Sequence, residues 1–473
     1  MNITSTKIEA GDVLPEYRTT YVWIISLVAG LGGLLFGYDW VVIGGAKPFY
    51  EAFFHLNDAS LQGWAMSCAL VGCLLGAAIS GNLSDRFGRK RLLISAASLF
   101  AISSLGTASA ESFNAFVGWR ISGGMAIGLA SNLSPMYIAE VSPAELRGKL
   151  VSLNQLNIVI GILLAQCVNW LIARPVPASA TALDILHSWN GQHGWRWMFG
   201  VTAIPAALFF IGMLVVPESP RWLAKAGQHA RARRVLVRIG GEEHCARALE
   251  EIEATLQGET RTPNLKDLID PTLLKVLLLG VVLAVFQQWC GINVIFNYAE
   301  EVFAAAGYKV SDLLLNIVVT GAVNLIFTIV AIGFVDRVGR RKLMLVGSAG
   351  LAIVYTVLGA GYYEHSHGIH MLILVVAAIA CYAMSLAPVT WVVISEIFPN
   401  RIRGTAMSIA VMSLWAASFI LTYTFPLLNH GFGAATTFWI YAAICVAGFA
   451  FIKRRLPETK GKTLEEIERF WKD

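Results

Sequence analysis

Two charged side chains lie inside long apolar stretches of the chain. Asp39 follows Leu-Leu-Phe-Gly-Tyr, and Arg120 follows Phe-Val-Gly-Trp. A charge at the bilayer centre costs about 2.5–3.5 kcal/mol on insertion scales, so both residues are functional candidates. A carboxylate beside a guanidinium stays ionised, whereas a desolvated carboxylate alone takes up a proton. A movement that separates or wets the pair would therefore let Asp39 exchange a proton; the alternative is a structural Asp in a loop, if the first span ends at Tyr38.

Neighbouring amide side chains form a second candidate group. Gln287, Gln288 and Asn293 lie close together in an apolar stretch. Buried amides are costly unless they meet partners, and as a group they offer both donors and acceptors, which matches sugar hydroxyls. Hydrogen bonding between membrane helices, typically worth about 0.6 kcal/mol, explains them equally well. The residues alone leave both interpretations open.

The composition indicates that these residues belong to a membrane protein. Apolar residues make up 56% of the 473 residues and charged residues 14%, with a mean hydropathy of +0.62. So few charges cannot cover a water-facing surface, which excludes soluble, disordered and coiled-coil classes. The net charge of +5 is a weak excess and does not indicate nucleic-acid binding. The seven cysteines show no paired spacing and no Cys/His cluster, so neither a disulfide framework nor a metal site is predicted.

Twelve stretches are long and apolar enough for transmembrane helices. The first and tenth are interrupted by glycine, proline and polar residues. The stretches lie near 21–46, 62–81, 91–109, 113–137, 150–172, 198–216, 273–299, 311–334, 343–362, 371–397, 405–427 and 433–452.

Basic residues concentrate in alternate short loops, which predicts that these loops and both termini are cytoplasmic. Charges at helical spacing in the one long polar segment predict short amphipathic helices there. The predicted organisation is a tail (1–20), a first half (21–216), a cytoplasmic linker (217–272), a second half (273–452) and a tail (453–473).

Three short motifs occur twice and in register. Loop charges alone would follow from the orientation rule, but the shared Asp, Gly and Glu would not, so we predict two homologous six-helix halves. The repeated positions are 85–90 and 336–341, Glu140 with Arg147 and Glu396 with Arg403, and 217–219 and 457–459.

The charges of these loops suggest a cytoplasmic gate. Arginine forms forked pairs with carboxylates, and we hypothesise that such pairs latch the two halves together and break when the carrier opens inward. The predicted gate residues are Asp85, Arg86, Arg89, Glu140, Arg147, Glu218, Arg221, Asp336, Arg337, Arg340, Glu396 and Arg403.

Taken together, the motifs resemble the sugar porter family of the major facilitator superfamily. The resemblance rests on the two DRxGR[RK] loops, Pro-Glu-Ser-Pro-Arg-Trp at 217–222 and Pro-Glu-Thr-Lys-Gly at 457–461. The pattern is closest to bacterial xylose and other monosaccharide–proton symporters and to facilitative glucose carriers. It implies an all-α integral membrane protein with twelve transmembrane helices in two halves and a substrate site at the membrane midplane.

The resemblance also implies roles for individual residues. An Asp on the first span with an Arg on the fourth, here Asp39 and Arg120, is typical of the bacterial proton symporters, whereas facilitative relatives lack the carboxylate. Gln287, Gln288 and Asn293 match the family's QQxxGxN motif. The predicted sugar-binding residues are Phe36, Gln155, Gln287, Gln288, Asn293, Asn297, Asn324, Trp391 and Trp415.

Four positions depart from the xylose-symporter pattern. Ile162 and Leu414 stand where glutamines are expected, Asn297 replaces a tyrosine, and Ala387 replaces a glycine. The loss of two amides removes possible hydroxyl contacts. The sugar therefore remains open between aldopentoses and aldohexoses, such as xylose or glucose.

The predicted function is import of a monosaccharide together with a proton by alternating access. We expect a monomeric multi-pass protein of the cell (inner) membrane, with the sugar, the proton and the lipid bilayer as its partners and without a cofactor. One alternative is a facilitative uniporter with a structural Asp39. A second is a transporter-like sugar receptor, which is less expected because such a sensor should carry long cytoplasmic tails and the predicted tails are short. An enzyme is not expected, because the chain has no HExxH, GxSxG or phosphate-binding motif in a suitable context.

Overall fold

The computed structural model describes residues 17–176, 181–258, 271–305, 310–398 and 403–460, and within these ranges it contains helices and no strand. The first half comprises α1 (Thr19–Phe54), α2 (Ala59–Phe87), α3 (Arg89–Ala108), α4 (Phe113–Val141), α5 (Ala144–Ile172), α6 (Ala182–His187), a π-helical turn (Asn190–Gly194), α7 (Trp195–Gly200) and α8 (Ala203–Val215). The linker contains α9 (Pro220–Lys225) and α10 (His229–Gly258). The second half comprises α11 (Pro271–Trp289), α12 (Ile292–Asn297), α13 (Ala299–Ala305), α14 (Val310–Val338), α15 (Arg340–Tyr363), α16 (Ile369–Met384), α17 (Leu386–Ile397) and α18 (Arg403–Arg455).

Ten helical segments of the described residues are long and apolar enough to cross a membrane. Two features reconcile this number with the twelve predicted spans. Helix α18 covers the last two spans and turns sharply at Gly433, where φ is +79°. Helix α4 is long enough but less apolar, because glycine, serine and asparagine recur along it. The all-helical membrane fold predicted from the sequence is therefore confirmed.

Two spans of the second half are discontinuous. The seventh breaks between α11 and α12 at Gly291, whose φ of +87° favours glycine and whose added β-carbon would lie 2.8 Å from the Tyr441 ring. The tenth span breaks between α16 and α17 at Ser385. This residue lies in the predicted stretch 371–397, one of the two that proline, glycine or polar residues interrupt. Non-helical backbone at membrane depth is tolerated where protein or a cavity surrounds it. Both breaks therefore mark candidate binding regions.

Glycines set the close packing of the first half. A β-carbon on Gly72 of α2 would overlap the carbonyl oxygen of Ile121, and one on Gly124 of α4 would overlap that of Ala69. This mutual contact brings α2 and α4 together, as small residues do in membrane helix pairs. Helix α1 packs against α4 and α5, so the backbone around Asp39 has little freedom to shift.

The most extensive helix contacts between the halves are those of α5 with α14 and of α2 with α18, and α1 also contacts α12 and α13. The linker helices lie against the first half. Helix α10 bends at Gly240–Gly241, and the Arg18 amide donates to the Ile239 carbonyl across 2.9 Å. The structure thus contains helices in the predicted linker, while residues 259–270 of that segment lie outside the described ranges.

Candidate functional site

The charged pair predicted inside the membrane is formed between α1 and α4. Arg120 Nη1 lies 2.5 Å from Asp39 Oδ1, and the two residues are 4% and 6% exposed. Helix α1 continues through Asp39 to Phe54, which contradicts the alternative of a loop carboxylate beyond a short first span. The Arg120 guanidinium also lies 5.3 Å from the centroid of the Phe199 ring. Removing Asp39 would leave the Arg120 charge buried and uncompensated, which would destabilise the fold.

A small cavity opens beside this pair. Most of its wall comes from the first half, but Asn297 of α12 closes it from the second half. The buried Asn297 Oδ1 has no hydrogen-bond partner among the described residues and can accept from a ligand hydroxyl. The lining residues are Asp39, Trp40, Ile43, Met66, Ala69, Leu70, Cys73, Arg120, Ile127 and Asn297.

The predicted amides form a hydrogen-bonded chain across the α11–α12 break. Gln287 Nε2 donates to the Tyr382 hydroxyl across 2.7 Å, and Gln288 Nε2 donates to Gln287 Oε1 across 2.6 Å. Asn293 Nδ2 donates to Gln288 Oε1, which completes the chain. All four residues are buried. This series of hydrogen bonds orients each amide in the absence of a ligand, because each side chain restricts the rotamer of the one that it bonds to.

Aromatic rings from both halves meet next to the ion pair. The Phe36 ring lies 5.7 Å from Trp40 and 5.5 Å from Trp415, and the two tryptophans are 5.9 Å apart. Trp415 Nε1 is buried without a partner among the described residues. Such rings stack on the C–H faces of sugars. Phe36 and Trp415 were predicted from the sequence, whereas Trp40 was not, although its adjacency to Asp39 was an available signal.

The other predicted sugar-binding residues lie on helices of the two halves. Gln155 on α5 is half-buried, as is Trp391 on α17, whereas Asn324 on α14 is buried. Ile162, Leu414 and Ala387, the departures from the xylose-symporter pattern, are also buried. The roles of Gln155, Asn324 and Trp391 in sugar binding stay predictions.

A second buried ionic cluster, which the sequence analysis missed, joins the halves. Lys47 Nζ lies 2.9 Å from Glu51 Oε2 on the same helix and 2.7 Å from Glu301 Oε1 on α13. Lys47 is 4% exposed. The predicted first span ended near residue 46, so Lys47 fell outside it, whereas α1 extends to Phe54. A lysine just beyond a predicted span was therefore a usable signal.

A cluster of charged residues lies where α2 ends and α3 begins in the first half. Arg89 Nη2 lies 3.0 Å from Glu140 Oε1, and Nη1 lies 3.3 Å from Asp85 Oδ1. Glu218 Oε1 accepts from the backbone amides of Arg89 and Lys90, each across 3.0 Å, and so caps the start of α3. The turn before α3 requires glycine, because Gly88 has a φ of +93° and a β-carbon there would overlap the Glu218 carboxylate.

The second half repeats this arrangement. Arg340 Nη2 lies 3.2 Å from Glu396 Oε1, and Glu458 Oε1 accepts from the Arg340 amide across 2.9 Å. Gly339 has a φ of +102°, and its β-carbon would lie 2.8 Å from Glu458. The repeated motifs thus make matching contacts in the two halves.

These contacts revise the hypothesis of a latch between the halves. Among the described residues, the ion pairs of Arg89 and of Arg340 with the predicted gate carboxylates each lie within one half, because the carboxylate comes from the same repeat unit. Two other predicted gate residues make contacts within the first half: Arg86 lies over Phe87, and Arg147 Nε donates to the Ala139 carbonyl. Arg221 is half-buried, Arg337 is exposed, and the side chains of Asp336 and Arg403 lie outside the described part.

We expect this end of the first half to lose stability when one partner of its buried pair is removed. Arg89→Met leaves the Glu140 carboxylate, which is 10% exposed, with less compensation. Breaking a buried pair costs about 3–5 kcal/mol, and replacing both partners costs far less. Thermal unfolding of Arg89→Met, Glu140→Met and the double variant measures this. If the losses of stability of the two single variants add up in the double variant, the pair is not coupled. The equivalent pair of the second half, Arg340 and Glu396, is more exposed and serves as the comparison through Arg340→Met and Glu396→Met.

The architecture defines the class of protein. Two equivalent halves of membrane-crossing helices meet around a buried ion pair, a chain of amides and a set of aromatic rings. Such a repeat-built bundle with polar residues at mid-depth is a multi-pass membrane transporter.

The family follows from comparison with known proteins. The sequence model described as "Sugar (and other) transporter" matches residues 25–471, and the chain belongs to this family, the sugar porters of the major facilitator superfamily. An arabinose-proton symporter of Bacillus subtilis is 41% identical over 473 residues, covering 100% of both chains. A D-xylose-proton symporter of Escherichia coli is 41% identical, over 96% of this chain and 97% of its own.

Solved structures give the same result. The inward-open xylose transporter XylE from E. coli superposes with a TM-score of 0.83 at 40% identity, over 95% of this chain and 100% of that one. XylE bound to 6-bromo-6-deoxy-D-glucose gives 0.80 at 41% identity, over 96% and 100%. The chain is a transporter and not an enzyme, as predicted.

Proposed function

We propose that this protein is a symporter that couples inward movement of a proton to import of a monosaccharide by alternating access. The single observation that carries the proposal is the buried Asp39–Arg120 pair, which borders the same cavity as Asn297 of the other half. The names of the arabinose-proton and D-xylose-proton symporters support an aldopentose as the substrate, and XylE bound to 6-bromo-6-deoxy-D-glucose supports an aldohexose as the alternative.

The ion pair supplies a physical basis for coupling. In general, a carboxylate beside a guanidinium favours its ionised form, whereas a desolvated carboxylate without such a partner favours the protonated form. We therefore propose that the transport cycle opens and closes the Asp39–Arg120 contact. Asn297 spans from the second half to this cavity, so a sugar that draws the halves together changes the surroundings of Asp39. Proton and sugar affinities are then linked, and the linkage is reciprocal.

The proposal includes an orientation in the membrane. The loops that hold Arg89 and Arg340 carry the excess of basic residues, which supports a cytoplasmic position for these loops and for both termini in a cell (inner) membrane. Residues of both halves line one cavity within a single chain, which supports a monomer as the functional unit.

Uptake of labelled arabinose, xylose and glucose into energised vesicles, with the external pH recorded, tests this function. We expect at least one of these sugars to accumulate above its external concentration and the medium to become alkaline as protons enter with the sugar. A protonophore should abolish both effects. A facilitative uniporter would instead equilibrate the sugar across the membrane and leave the external pH unchanged, and the protonophore would not alter its sugar uptake.

A further inference from the structure

Gln166 on α5 is a buried amide without a partner. It is 1% exposed, and neither Nε2 nor Oε1 makes a hydrogen bond to another described residue. Burying an amide without compensation is costly, and the great majority of buried polar atoms are satisfied. An orphan with both a donor and an acceptor therefore calls for a partner that is present at another stage of the cycle.

The opposing helix leaves room for this side chain. Gly321 of α14 faces Gln166, and a β-carbon at position 321 would overlap the Gln166 carboxamide oxygen. The next residue that this β-carbon would meet is Leu163, whose Cδ1 would lie at 3.2 Å. The contact lies where α5 and α14 join the two halves. A movement of the halves would thus change what the amide meets.

Gln166 is linked to the candidate sugar site through residues about one helical turn away on α5 and α14. Asn169, about one helical turn further along α5, donates to the Val42 carbonyl of α1 across 3.0 Å. On the same stretch of α1, a β-carbon on Gly44 would lie 2.8 Å from the Asn297 carbonyl oxygen. Asn324 lies about one turn from Gly321 along α14.

One turn back along α5 stands Ile162, which is 7% exposed and offers no hydrogen bond from its side chain. Residues four apart on a helix share a face, so Gln166 presents its amide on the face where Ile162 presents an alkyl group. The donor and acceptor that position 162 lacks are therefore available one turn away.

We propose that Gln166 is a specificity-determining residue that hydrogen-bonds one hydroxyl of the transported sugar when the α5–α14 contact loosens. This inference rests on the proposed sugar transport. An amide donates and accepts at once, as a hydroxyl does. A site built for a hydroxyl discriminates against analogues that lack it, because its own polar group is then left unpaired.

Gln166→Leu tests the inference, because sugar binding should weaken while the sugar-free carrier becomes more stable. For the best transported sugar, we expect KM in counterflow to rise about tenfold, which corresponds to one lost hydrogen bond. Among the monodeoxy analogues of that sugar, the one that lacks the paired hydroxyl should show the same KM in wild type and variant. The thermal midpoint of the sugar-free carrier should rise, because the variant removes an unpaired buried amide.

Two further variants complete the test. Gly321→Ala should displace the carboxamide and reproduce the selective loss for the same hydroxyl. Gln192→Leu removes an amide that donates to the Leu186 carbonyl outside the candidate site and should leave KM unchanged. An equal loss for every analogue in Gln166→Leu, no loss, or a lower thermal midpoint would overturn the inference. A wild-type carrier that transports none of the parent sugars would instead overturn the proposed function.

Discussion

Asp39→Asn is expected to abolish sugar accumulation while leaving exchange of labelled for unlabelled sugar intact. Asparagine keeps the oxygen to which Arg120 Nη1 donates across 2.5 Å, so the shape of the contact survives. It cannot take up or release a proton, so net uphill movement loses its driving reaction. Uptake and counterflow in the same proteoliposomes separate these two activities.

The matched control is Asp58→Asn, which alters an exposed carboxylate immediately before α2. It should leave accumulation unchanged. Accumulation that persists in Asp39→Asn would remove Asp39 from the coupling reaction and favour the uniporter. Simultaneous loss of accumulation and counterflow, with normal thermal stability, would show that the carboxylate serves sugar binding.

Gln288→Leu is expected to lower kcat/KM for the sugar about 100-fold, because it breaks two hydrogen bonds in the amide chain and each unpaired buried group costs about 1–3 kcal/mol. Gln288 accepts from Asn293 and donates to Gln287, so it holds both neighbours in place. The concentration dependence of counterflow measures the loss, and thermal unfolding of the variant shows whether the fold survives.

Tyr382→Phe provides the graded comparison. It removes only the acceptor of Gln287 Nε2 at the end of the chain and keeps the ring. Its effect on kcat/KM should be smaller than that of Gln288→Leu. Equal kinetics of Gln288→Leu and wild type would mean that the amides merely join helices, which is the alternative that the sequence left open.

The sequence revealed those parts of the site in which residue type conflicts with surroundings. Asp39 and Arg120 are conspicuous because charge is rare in apolar stretches, and the structure places them in contact. The repeated loops were equally visible, because Gly88 and Gly339 occupy turns that only glycine adopts easily. Patterns of this kind depend on local chemistry, which a sequence shows directly.

Other features depend on distance between helices, which a sequence does not show. Gln166 looks like an ordinary amide until Gly321 is found opposite it on another helix. The ion pair from Lys47 to Glu301 joins residues far apart in the chain. Likewise, the repeated arginines were expected to bridge the halves, whereas their described carboxylate partners lie within each half.

The most direct test is proton entry driven by sugar alone. Proteoliposomes that contain a pH-sensitive dye, with equal pH on both sides and the membrane potential clamped, receive an inward gradient of the transported sugar. The account predicts that the lumen becomes acidic as the sugar enters, and that Asp39→Asn admits no proton under the same gradient. Sugar entry into wild-type vesicles at constant internal pH would contradict proton coupling through Asp39.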